Sequence, residues 1–160
     1  MFKINVMMRF EKPGEVTVRA WREVLRNAMT EVALYWHRVM APRHFRDDAR
    51  GRYGYLPRTK KYEKGRQKKG KPDLIFSGAT YRAVVQGTPQ IRAFPTRANL
   101  HYDTEDYIQM HPVGSSKMPN LGQEITRVMP DEGIELGRMA AASVEQGIQR
   151  LMEHEWFRRE

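Results

Sequence analysis

Cysteine is absent from this chain. That excludes a disulfide framework, a thiol nucleophile, an iron-sulfur cluster and a cysteine-rich zinc site. Long apolar runs are missing as well. The longest stretch free of charge, residues 107–116, spans ten positions and is polar, whereas a membrane-spanning helix needs about 20 apolar residues. Residues 4–8 are interrupted by Asn5 and closed by Arg9, too short and too polar for a secretory signal. The expectation is a protein with no membrane partner, made and used in a cytoplasm. The GxSxG, Walker A, GxGxxG and HExxH patterns are also missing, so nothing in the motifs nominates an enzyme or a cofactor.

What is present suffices for one core. At 160 residues, 40% hydrophobic and 29% charged, the expectation is a single domain over 1–160, burying roughly 70% of its unfolded surface. Its charge is uneven. Residues 43–71 hold 12 basic and three acidic side chains, which is the whole net charge of +9; the remainder balances at 16 against 16. The chain therefore reads as a neutral globule carrying one basic segment, an extended loop over about 43–72 with glycines, prolines and tyrosines and no helical or strand period.

Phe2, Ile4, Val6 and Met8 alternate with Lys3, Asn5 and Met7, which predicts a strand ending at the Pro13-Gly14 turn. From Val18 the period becomes 3.6: Val18, Trp21, Leu25, Ala28, Val32, Tyr35, Trp36 and Val39 share one face. Thr17 is the expected N-cap and Pro42 the stop, giving a helix over 18–40 about 34 Å long. Its polar face carries Arg19, Glu23, Arg26, Thr30 and His37, the last expected to be solvated.

Residues 73–86 have helix-compatible spacing at Leu74, Tyr81, Val84 and Val85. Ile91, Ala93 and Phe94, then Leu100 and Tyr102, predict a hairpin with an irregular turn over 95–99, and 107–110 is a third stretch able to pair with it. Residues 111–122 read as a loop. Residues 124–129 are ambiguous, with strand slightly favoured by Ile125, Thr126 and Val128. Pro130, Asp131 and Glu132 open a final helix, the acids favoured by its exposed N–H groups. Ile134, Gly137, Ala141, Val144, Ile148, Leu151 and Met152 are its expected buried face, with Gly137 and residues 140–142 allowing close approach to another element. The fold class is α+β: long N-terminal and C-terminal amphipathic helices packed on a small antiparallel sheet.

Among the five histidines, only His101 and His111, flanking Asp103, Glu105 and Asp106, have a composition able to bind a divalent ion or activate water, and their spacing matches no ligand motif. An acidic loop beside a strand is more often simply solvated. The basic segment is the stronger signal. Arg58, Lys60, Lys61, Lys64, Arg66, Lys68, Lys69 and Lys71 are placed to neutralise phosphates while Tyr53, Tyr55 and Tyr62 stack on bases. Two other readings stand beside it: a solvated loop that happens to be basic, and an arm lying on an acidic protein surface in an assembly.

Phe45 and Arg46 lead through to Pro57 and Arg58, Leu74-Ile75-Phe76-Ser77-Gly78 opens a helix, and Glu124-Ile125 runs into Asp131-Glu132. With a leading strand, a long helix, a basic connection, a hairpin and a closing helix, this order resembles the tail-completion or neck proteins of tailed phages, the minor-tail and virion-morphogenesis group. Thr80 stands where such proteins commonly carry a leucine. The resemblance implies a structural virion protein, assembled in the host cytoplasm, with no catalytic residues, metal or cofactor. It implies an oligomeric ring at the head-tail junction whose partners are further copies, neighbouring neck and tail proteins and DNA in the channel. The alternatives are a nucleic-acid-binding regulator and, third, a small basic RNA-cleaving toxin-like enzyme.

Overall fold

The N-terminal alternation forms strand β1, Phe2–Met7, in a computed structural model that describes residues 2–14, 16–56, 60, 64, 78–102 and 124–156. The first long helix, α1, covers Val18–Tyr35, and the Thr17 hydroxyl accepts a hydrogen bond from the Ala20 N–H at 3.3 Å, the expected cap. Pro42 does not stop the helical run. One π turn, Trp36–Met40, widens the helix so that the Ala41 N–H reaches back to the Trp36 carbonyl, and a tight 3₁₀ stretch, Ala41–Phe45, follows with the proline in its first turn. A proline there needs no N–H partner, and the preceding widening relieves the clash its ring makes inside an α-helix. The run thus changes pitch and delivers Ala41, His44 and Phe45 to the core.

A short helix, α2, covers Ala49–Tyr53 and ends on Gly54 in the left-handed conformation, φ 61°. Glycine adopts this backbone without the steric penalty of a Cβ, and it turns the chain so that Tyr55 comes back beside Tyr53. A helical turn, α3, Ala79–Tyr81, runs into a second π turn, Arg82–Gln86. Strands β2, Gln90–Phe94, and β3, Arg97–Tyr102, form the expected hairpin, with a two-residue turn at Pro95 and Thr96 rather than an irregular one over 95–99. The sheet has three antiparallel strands in the order β1-β3-β2, with Phe2 opposite Tyr102 and Gln90 opposite His101. The pairing of 107–110 lies outside the described residues. Residues 124–129 are not a strand: Glu124 and Ile125 form a buried helical turn, because tertiary burial overrides a weak β preference.

The last helix, α4, covers Pro130–Trp156. It crosses α1 antiparallel, with Tyr35 meeting Glu135 at one end and Val24 meeting Gly147 at the other. Its buried face matches the expected one in its second half, where Val144 is buried and Ile148 and Leu151 pack against the core, and differs in its first. Glu132, Leu136, Ala140 and Val144 are buried, while Ile134 and Met152 are 58% and 54% exposed. The inward stripe steps by four residues from a glutamate, a charged residue that hides the phase of the apolar pattern. The close approach is made by Gly147, where a Cβ would lie 2.7 Å from Val24 Cγ1; at Gly137 it would meet nothing within 4 Å.

The main core joins the second half of α1, the π and 3₁₀ turns, α2, Tyr55, the sheet residues Ala98, Leu100 and Tyr102, and Leu136 and Ala140 of α4. A smaller one gathers Trp21, Val24, Leu25, Ala28 and Val144 where α1 starts and α4 nears its end. The architecture is α+β, two long amphipathic helices with a small antiparallel sheet.

Candidate functional site

The basic segment does not leave the fold at residue 43. Its first part, residues 43–56, places His44, Phe45, Ala49, Tyr53 and Tyr55 in the core, and it is fastened to the start of α4. Tyr53 and Tyr55, expected as rings for stacking on bases, are 1% and 5% exposed. They form a buried aromatic group with His44, whose ring stacks on Tyr53 at 3.9 Å between centroids, while Tyr53 and Tyr55 lie nearly parallel 5.7 Å apart. His44 Nδ1 is 2.6 Å from the Tyr55 hydroxyl. These rings are unavailable to a nucleic acid, and the reading of them as partner contacts is corrected on that ground.

Beneath the rings lies Glu132. It is buried, accepts the Tyr53 hydroxyl at 2.6 Å and, through its other oxygen, the Met129 N–H at 3.1 Å. The second bond is a capping-box return from the third residue of a helix to the residue before it. Around this carboxylate the acids of α4 meet arginines of the basic segment. Arg52 pairs with Asp131 and lies 3.4 Å from Glu132, and Arg43 binds Glu135 through two nitrogens at 3.0 and 3.2 Å and lies 3.5 Å from Glu132. The Tyr35 hydroxyl also donates to Glu135. Arg127 donates to the Tyr53 and Gly54 carbonyls, and the Leu56 N–H donates to buried Glu124 at 3.1 Å.

The electrostatics follow from these contacts. Hydrogen bonding from Arg43, then from Tyr35, holds the Glu135 carboxyl below its usual value, and the bond from Arg52 does the same for Asp131. Burial, then the bond to Glu132, pushes the Tyr53 phenol up, and burial pushes up Tyr55. Burial pulls His44 down from 6.5 to about 4, against the attraction of Glu132 for its proton, so it is a neutral imidazole at pH 7. Its Nε2 has no hydrogen-bond partner. At 1% exposure the ring is closed off from solvent. The cluster can fix the root of the basic segment; its groups spend their charge on one another.

Beside it lies a shallow cleft of about 350 Å³ lined by three arginines, Arg43, Arg46 and Arg52, and two aspartates, Asp48 and Asp131. Of the remaining sites expected in the basic segment, Lys60 and Lys64 are exposed, and Arg58, Lys61, Tyr62, Arg66, Lys68, Lys69 and Lys71 lie outside the described residues. So do Asp103, Glu105, Asp106 and His111; His101 sits in β3, its Nδ1 buried without a hydrogen-bond partner. His37 is half-buried rather than solvated, its Nδ1 3.1 Å from the Tyr102 hydroxyl. Burial lowers its pKa. Among the described residues no group of three metal-ligating side chains occurs, and no helix is long and apolar enough to cross a membrane.

Sequence reasoning gave Asp131 and Glu132 only a helix-terminus role and Arg43 and Arg52 only a place in a basic run. The usable signal was their complementarity: three acids within the first two turns of a helix, in a chain whose excess charge sits elsewhere in one segment. The class defined by these elements is α+β, with a basic segment rooted in the core. Compared with known proteins, the chain matches no family model, no curated protein and no solved structure.

Proposed function

We propose that this chain is a structural protein of a tailed-phage particle, assembling into a ring at the head-tail junction and acting in tail completion. Its partners in this reading are further copies of itself, the neighbouring neck and tail proteins, and DNA in the channel. One observation supports it most: the basic segment is divided into a root, residues 43–56, anchored by the buried side chains of His44, Phe45, Ala49, Tyr53 and Tyr55, and a lysine-rich remainder that follows it in sequence. A ring interface joins unlike surfaces of successive copies. An arm held at its root by Tyr53, Arg52 and Leu56 loses little further freedom at its base when it lies on a neighbour, which lowers the cost of binding.

The test combines mass with assembly. Light scattering across concentration, alone and with tail tubes, is expected to show self-association or co-assembly; a persistent monomer in both settings overturns the ring. Replacing Lys60, Lys61, Lys64, Lys68 and Lys69 together by Gln is expected to leave thermal unfolding unchanged and to cut the yield of tailed particles in complementation. A folded variant that gives normal particles overturns the arm. Salt-dependent DNA binding by a persistent monomer would point to the nucleic-acid-binding regulator.

A further inference from the structure

We propose that the exposed face of α1 carrying Arg19, Arg22 and Arg26 binds the phosphate backbone of double-stranded DNA. This face is separate from the basic segment, and the inference holds whether or not the chain forms a ring.

The three arginines stand at i, i+3 and i+7, so they share one side of the helix over about 10 Å of its axis. All are exposed. Among the described residues none of the three guanidinium groups has an ion-pair or hydrogen-bond partner. Glu23 is on the same face and pairs with none of them, and Glu15 lies outside the described residues. Together Val18, Arg19, Arg22, Glu23 and Arg26 line a shallow, open cleft of about 580 Å³.

Intramolecular stability does not account for this arrangement. The first turn of α1 contains no acid, and the helix dipole disfavours the one cation placed there, Arg19. Arg43 and Arg52, by contrast, are each matched to α4 carboxylates. Among the described residues these three cations on one helix face have no complement, and we infer that a ligand supplies it.

The character of the face selects the partner. Protein-protein interfaces are built around an apolar, often aromatic core, and among the described residues the only apolar side chain lining this cleft is Val18, 55% exposed. Single-stranded nucleic acid is held by stacking on exposed aromatic rings. Among the described residues no aromatic lines the cleft, and Tyr53 and Tyr55 are buried. A polar, positive and straight surface fits duplex DNA, whose interfaces are polar and far more positive than protein-protein ones. One strand presents a phosphate every 3.4 Å of axis, so about 10 Å of helix faces about three phosphates. Such contacts position without reading sequence.

The experiment is fluorescence anisotropy with a random-sequence duplex between 50 and 200 mM salt, on the full chain and its R19Q/R22Q/R26Q variant. Glutamine keeps helix propensity close to that of arginine. The expected result is a tenfold or greater loss of affinity at low salt and a salt slope shallower by about 2.7 units, 0.9 for each phosphate contact removed. Arg22→Gln alone, a smaller perturbation, is expected to change the slope by about one unit. Wild-type affinity and slope in either variant with native thermal unfolding overturn the proposal. So does charge-matched polyglutamate competing as well as DNA, which would assign the face to an acidic protein. Light scattering on the same samples reports the ring separately, so either reading can fail alone.

Discussion

The two long helices begin in opposite electrostatic company. α4 opens with Pro130, Asp131 and Glu132, adds Glu135 one turn later, and each of its three acids meets Arg43 or Arg52. α1 opens after Thr17 with no acid in its first turn and carries three arginines that meet none among the described residues. At α4 complementary charge is consumed inside the fold, where it fixes the backbone of residues 43–56. At α1 it is left on the surface. Equal numbers of arginines on a surface therefore need not be equally available, and the difference is visible only in what each guanidinium touches.

The sharpest way to break the α4 side is Glu132→Gln. The change removes the buried charge flanked by Arg43 and Arg52 while keeping shape, and deprives the Tyr53 hydroxyl and the Met129 N–H of their ionised acceptor. The expected cost is about 3–5 kcal/mol, a fall in Tm of roughly 10 °C by calorimetry. A fall under about 2 °C would show that the root is held by packing alone.

Acid should act on the same cluster through His44. Its proton affinity in the folded state is about 4 against an ordinary 6.5. The unfolded chain therefore binds more protons in that window: the stability is fully present above pH 6.5 and is lost as pH falls towards 4, by about 3 kcal/mol in all. Asp131 and Glu135, held below their ordinary 3.8 and 4.5, add losses that begin as pH approaches those values and continue below them. Urea unfolding between pH 7 and 4 is expected to show the early loss in the wild type and not in His44→Phe. A parallel slope in both would place the titration elsewhere.

A smaller effect probes the other end of the helix pair. Gly147→Ala places a methyl against Val24 beside the first turns of α1, and the strain is expected to outweigh the gain in helix propensity for a net loss of about 1–2 kcal/mol. Gly137→Ala, with open space at that position, is expected to gain about 0.5–1 kcal/mol. Reversal of the two signs in denaturant melts would refute the antiparallel packing described here.

The smallest effect is expected on the α1 side. Replacing Arg19, Arg22 and Arg26 by Gln should move stability by no more than about 0.5 kcal/mol in either direction, against the several kcal/mol at Glu132. A large loss would mean that these arginines have a role inside the fold.

Local features were legible wherever one element's own pattern carried them: the alternation of β1, the Thr17 cap, the apolar stripe of α1 from Trp21 onward, the hairpin and the proline-led start of α4. Legibility failed where a residue's role is set by a neighbour distant in sequence. Tyr53 and Tyr55 lie in a run of arginine, lysine and glycine, and local composition gives no reason to bury them. Their reason is Glu132 and His44, 79 residues ahead of Tyr53 and nine behind it. The same glutamate occupies the inward stripe of α4, so a search for apolar periodicity starts on Ile134, out of phase, and meets the packed face only from Val144 onward.

The sequence by itself determined that this chain has no cysteine chemistry, that its net charge resides in one segment, and that two amphipathic helices flank strand-forming stretches, because composition and periodicity are properties of neighbours along the chain. Only the tertiary structure decided which charges are spent and which remain. Burial removes water from Glu132, Tyr53 and His44 and makes their mutual contacts obligatory. The arginines of α1 stay solvated, and no such requirement falls on them.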